Sequence, residues 1–155
     1  MLERRRRRRS LASTGKIGKF LLEEAIRTQP ARSLYRSYDP FLDRKVAIKI
    51  IQLFDPSGEE DPAANDTFNS EAQAIGRLQH QNIVSVYVAG VGDCEGYIVM
   101  EYVEGKSLLN RLKTNRTLSI AETLEIAAEV FHALDYAHRK KIIHRDIKPS
   151  NIMIT

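Results

Sequence analysis

The sequence predicts an α+β fold, with five antiparallel strands, one helix inserted among them, and helices after them. Arg44 to Leu53 is a Val- and Ile-rich run of strand character, and residues 119–139 carry apolar side chains at intervals of four and three. The order of strands, helix, strands and helices shows no internal repeat, so it reads as one mixed domain rather than an array.

Taken in order, Phe20 to Arg27 and Ser33 to Tyr38 read as two strands joined by a turn containing Pro30. Arg44 to Leu53 is the third, with Ala47 and Lys49 on one face and Val46, Ile48 and Ile50 on the other. Asp55 to Asn65, with two Pro and one Gly, reads as a loop. Thr67 to Gln79 places Phe68, Ala72, Ile75 and Leu78 at helical spacing, with Glu71 at the edge of that apolar face. Ile83 to Gly90 and Tyr97 to Val103 read as the last two strands, with Val91 to Gly96 as their turn. Ser107 to Thr114 suggests a short helix. In Ser119 to Arg139, Ile120, Leu124, Ala127, Phe131, Leu134 and His138 form one stripe, and Ser119 with Glu122 makes a capping box at its start.

A chain of 155 residues with 43% apolar content suits one globular domain. The single cysteine, Cys94, excludes an internal disulfide, fits a reducing, cytoplasmic compartment and is given no catalytic role. No stretch approaches the roughly 18 apolar residues of a membrane span. The net charge of +4 is concentrated at the start: residues 1–16 carry +6, leaving the other 139 with −2. That leader reads as disordered. Its run Arg4 to Arg9 is expected to be solvated, or at most a weak contact for an anionic partner such as nucleic acid or lipid. It lacks the apolar stretch of a secretory signal, and Arg8-Arg9-Ser10 weakly resembles a basic-directed phosphorylation site.

Residues 144–151 read His-Arg-Asp-Ile-Lys-Pro-Ser-Asn. This octapeptide resembles the catalytic loop of eukaryotic-type protein kinases, and Val46-Ala47-Ile48-Lys49 resembles the strand motif that precedes it in that family. With Tyr38-Asp39-Pro40, the resemblance is to the eukaryotic-like (Hanks-type) Ser/Thr protein kinases of bacteria, and it covers the N-terminal portion of the catalytic domain. It implies a protein kinase-like fold, with a five-stranded small lobe over 17–103 and the first helices of a large lobe over 104–155.

The resemblance also implies roles. Asp146 would be the catalytic base, Lys148 a contact to the transferred phosphate, and Asn151 a ligand of Mg2+. Lys49, paired with Glu71, would hold the inner phosphates of ATP, Ala47 would let the adenine ring lie flat, and Leu34 would be a further nucleotide-binding residue. Glu101 and Val103 would meet adenine through backbone groups, and Met100 would be the gatekeeper. Glu104 is either a ribose contact or a solvated carboxylate. His144 is expected to pack in the core and anchor the loop, and Arg145 to answer a phosphorylated activation loop.

Two departures from the family stand out. The positions that align with its three loop glycines are Arg27, Gln29 and Arg32, so side chains either crowd the triphosphate or contribute positive charge. The family's Asp-Phe-Gly, activation loop and Ala-Pro-Glu segment all follow the catalytic loop. The chain therefore reads as the first half or so of a kinase domain, expected to be inactive alone and to expose the stripe of residues 119–139. The expected function is ATP-dependent phosphoryl transfer to protein Ser/Thr hydroxyls. The alternatives are an inactive kinase-like scaffold, favoured by the loop without glycine, and RNA or membrane binding through Arg4 to Arg9.

Overall fold

The computed structural model describes residues 15–54, 59–92, 95–114 and 117–155, with Ala74 and Ile75 described by backbone only. Cys94 and the run Arg4 to Arg9 lie outside the described residues. The chain divides into two compact units, one of residues up to Gly76 with Val86–Tyr102, the other of Arg77–Ser85 with Val103–Thr155.

The first unit is built on β1 (Lys16–Ile17), β2 (Phe20–Gln29), β3 (Arg32–Asp39), β4 (Arg44–Gln52), β5 (Val86–Val91) and β6 (Glu95–Glu101), with α1 (Pro62–Ile75) between β4 and β5. The sheet order is β1-β2-β3-β4-β6-β5, antiparallel throughout. The five expected strands are present, and β1 is an addition. Gly15 and Gly18 take φ of 69° and 55°, which lets Lys16 and Ile17 turn back onto Leu21 and Phe20. Two residues are too few to show alternation, so the sequence carries no periodic signal for this strand.

Alternation along β4 sorts the core. Val46, Ile48 and Ile50 pack with Ile17, Phe20 and Val99 on one face, while Ile51 joins Leu53, Ile98 and Phe68 of α1 on the other. Lys49 lies on the α1 face, as the alternation of β4 requires.

Helix α1 starts five residues before the expected Thr67 and ends four before Gln79. Asp61 Oδ1 accepts hydrogen bonds from the amides of Ala63 (3.0 Å) and Ala64 (3.1 Å), so Asp61 caps the helix and Pro62 occupies its first position. There the missing N–H costs nothing, which is why a residue read as a loop marker is a start signal. Leu78 therefore lies beyond the helix. Strand β5 begins at Val86 rather than Ile83, which instead bridges to His80. Strand β6 begins at Glu95, two residues early, because this buried carboxylate accepts a hydrogen bond from the Gln52 side chain opposite it.

The second unit holds β7 (Lys106–Ser107), α2 (Leu108–Thr114), α3 (Ile120–Arg139), a 3-10 turn at Pro149–Asn151 and β8 (Met153–Ile154). The capping box at α3 forms as expected: Glu122 N donates to Ser119 Oγ at 3.1 Å and Ser119 N to Glu122 Oε2 at 2.9 Å. At the other end Lys141 takes φ of 61° and donates to His138 O, while Ile142 N donates to Ala137 O. This is a Schellman closure with Lys where Gly is usual. In the expected stripe Ile120, Leu124 and Phe131 are exposed, and Ala127 and Leu134 half-buried. Among the described residues no helix is long and apolar enough to cross a membrane.

Candidate active site

In the first unit, α1 brings Glu71 to Lys49 of β4. The two side chains form an ion pair with both partners half-buried. Glu71 reaches inward because it sits three residues after Phe68, whose ring is buried against the sheet. Leu34 lies opposite Lys49 in the ladder, and Ala47, buried, lies opposite Met100. Glu101 closes β6 with its side chain exposed, Val103 is half-buried and Glu104 exposed.

Between β2 and β3 the ladder runs to the pair Gln29–Arg32, leaving Pro30 and Ala31 as a two-residue turn. Gln52 N donates to Ala31 O at 3.0 Å, tying the hairpin tip to the end of β4. A cleft of about 500 Å³ opens beside the tip, lined by Thr28, Ser33, Tyr35, Ile50, Gln52 and Glu95 among others. Ile50 belongs to the core face opposite Lys49, so this cleft is not where the Lys49–Glu71 pair sits.

In the second unit, residues 144–151 are held at both ends. The Schellman closure launches the segment from α3, and β8 pairs with β7 immediately after it. Leu108 N donates to Ile152 O at 2.8 Å, and a Cβ at Gly105 would run into the Ile154 carbonyl. These anchors gave no signal in the sequence beyond the glycine itself.

Between them, Asp146 gathers the polar groups. Lys148 Nζ lies 2.8 Å from Asp146 Oδ1, and Asn151 Nδ2 donates to Asp146 Oδ2 at 3.0 Å and to its carbonyl at 2.9 Å. The hydrogen bond from Lys148, then that from Asn151, hold the Asp146 carboxyl below the usual range for aspartate. Arg145 adopts a left-handed backbone (φ 62°), which turns the chain before Asp146. His144 is exposed rather than packed in the core. It accepts a hydrogen bond from Asp146 N at its Nδ1, 3.2 Å away, so it shapes the loop through a local bond. The expectation of a packing role failed because the sequence does not distinguish an apolar from a hydrogen-bonding anchor.

Residues 34–155 match the protein kinase domain. The chain is 40% identical over 146 residues to the serine/threonine-protein kinase PksC of Streptomyces coelicolor, covering 89% of this chain and 26% of that protein. It is 40% identical to PrkC of Bacillus subtilis (88% and 21% covered) and 36% identical to a probable serine/threonine-protein kinase of Clostridium acetobutylicum (88% and 20%). The chain thus spans about a fifth to a quarter of the length of these relatives. Both polar clusters lie within the matched residues, and the chain belongs to the protein kinase domain family.

Proposed function

We propose that this chain is the nucleotide-binding and catalytic-loop portion of a serine/threonine protein kinase that transfers phosphate from ATP to protein hydroxyls. The observation that carries the proposal is the Asp146–Lys148–Asn151 cluster, an ionised carboxylate held by a cation and an amide on a loop anchored at both ends.

The residues suit Mg·ATP. Lys49 is oriented by Glu71 and so presents a positioned ammonium rather than a mobile one. Asn151 spends its amide nitrogen on Asp146, and its carbonyl oxygen, which accepts a long hydrogen bond from Ser150 Oγ at 3.4 Å, is the end offered to a hard cation. Mg·ATP when bound supplies the phosphoryl group and the charge that screens its oxygens. Asp146, ionised at neutral pH, accepts a hydrogen bond from the acceptor hydroxyl, orients it and takes its proton. Lys148 balances the carboxylate and places positive charge beside the transferred group. Ala47 and Leu34 make an apolar wall for the base, and the backbone of Glu101 and Val103 provides its hydrogen-bonding edge. On this reading 17–103 is the small lobe and 104–155 the beginning of the large one.

The scaffold alternative is favoured by the hairpin without glycine. Melting temperature with and without millimolar Mg·ATP separates the two. The kinase reading expects a rise that Lys49→Met removes, because ligand that binds only the native state raises its stability. The absence of any rise in the wild-type protein would favour the scaffold.

A further inference from the structure

We propose that Arg27 serves as a phosphate-gripping side chain in place of a glycine-rich backbone cradle, an inference that rests on the nucleotide-binding reading above. The argument is one of register. Arg27 lies opposite Leu34, and Leu34 opposite Lys49, so the three side chains stand in one row across β2, β3 and β4 and share a face. That face is the one on which Lys49 meets Glu71.

A bulge makes this arrangement. Ala25 pairs with Tyr35 and Arg27 with Leu34, so two steps along β2 are matched by one along β3. Tyr35 packs on the opposite core, with Ile48 and Val99. In a regular strand Ala25 and Arg27, two residues apart, would point the same way. With the bulge, Arg27 turns to the face of Lys49. Gln29 and Arg32 follow on that same face, opposite each other and in line with Ile51.

Strand spacing puts the Arg27 and Lys49 Cα atoms about 10 Å apart, a span over which both long side chains reach a shared polyanion. Arg27 is exposed, and its side chain makes no ion pair or hydrogen bond among the described residues. The hairpin meanwhile is paired to its tip, its bulge apart, and is pinned by Gln52, so it is paired strand rather than a pliable loop. Phosphate recognition therefore passes from backbone amides to a guanidinium, which binds phosphate oxygens in bidentate fashion.

The test is titration of the natural protein with Mg·ATP and with adenosine, which lacks phosphate. Arg27→Gln is expected to weaken Mg·ATP binding about tenfold, the worth of one charge-assisted hydrogen-bonded contact. Adenosine affinity should stay within about twofold of wild type, and Arg27→Lys, which keeps the charge but not the planar fork, should fall between wild type and Arg27→Gln for Mg·ATP. Equal loss for both ligands would show a merely structural role and overturn the proposal. So would an unchanged Mg·ATP affinity in Arg27→Gln when Lys49→Met abolishes binding, and in that case the nucleotide-binding reading stands. If the wild-type protein binds no Mg·ATP, both fall together.

Discussion

Asp39 is a carboxylate with a side-chain exposure of 1%, and its charge is answered locally. Lys19 Nζ lies 2.9 Å away, and the amides of Phe41 and Leu42 donate to it at 3.1 and 3.4 Å. Burial works to raise its pKa, but the hydrogen bond from Lys19 and those from the two amides outweigh it and hold the group below its ordinary value. A carboxylate depressed by folding contributes stability that is complete above the unfolded pKa of about 3.9 and is lost as pH falls through the folded value. Asp39→Asn should therefore lower the denaturation midpoint near neutral pH and make progressively less difference in acid. A difference that stays constant down to the lowest accessible pH would contradict this account. The same direction at Asp146 means that the proposed base is already ionised at neutral pH. Tyr38-Asp39-Pro40 was legible as a family-like run, but the ion pair of Asp39 with Lys19 was not, since that contact joins the turn between β1 and β2 to the end of β3.

Elements were legible where period and cap agreed. Helix α3 begins as read because Ser119 and Glu122 satisfy each other's amides. Ser119→Ala should cost about 1 kcal/mol in urea unfolding, whereas Ser119→Asp, which keeps an acceptor at the cap, should cost much less. Equal losses for both would show that the cap is not what holds this end. Helix α1 was misplaced for a complementary reason. Its start depends on Asp61 accepting from two amides, and beside Pro62 an Asp reads as a loop as readily as a cap. Glu95 was placed in a turn because a buried carboxylate within a strand depends on its opposite residue, Gln52, which single-strand periodicity does not reveal.

Across the whole molecule, the site's composition was more legible than its geometry. Lys49 and Glu71, 22 positions apart, meet as the strand and helix motifs implied. Asp146, Lys148 and Asn151 come together within one loop. What single motifs could not tell is how Lys148 and Asn151 engage Asp146, or which way the bulged β2 turns Arg27. Both depend on backbone register and local turns. The central claim is that these groups serve phosphoryl transfer, and the most direct measurement follows phosphate from Mg·ATP into protein Ser and Thr, by mass, for the full-length kinase of which this chain is the proposed portion and for its Asp146→Asn variant. The account predicts transfer by the wild type and a rate at least about 100-fold lower in the variant, the usual scale of general-base loss. Undiminished transfer by Asp146→Asn, or none by the wild type, would contradict it.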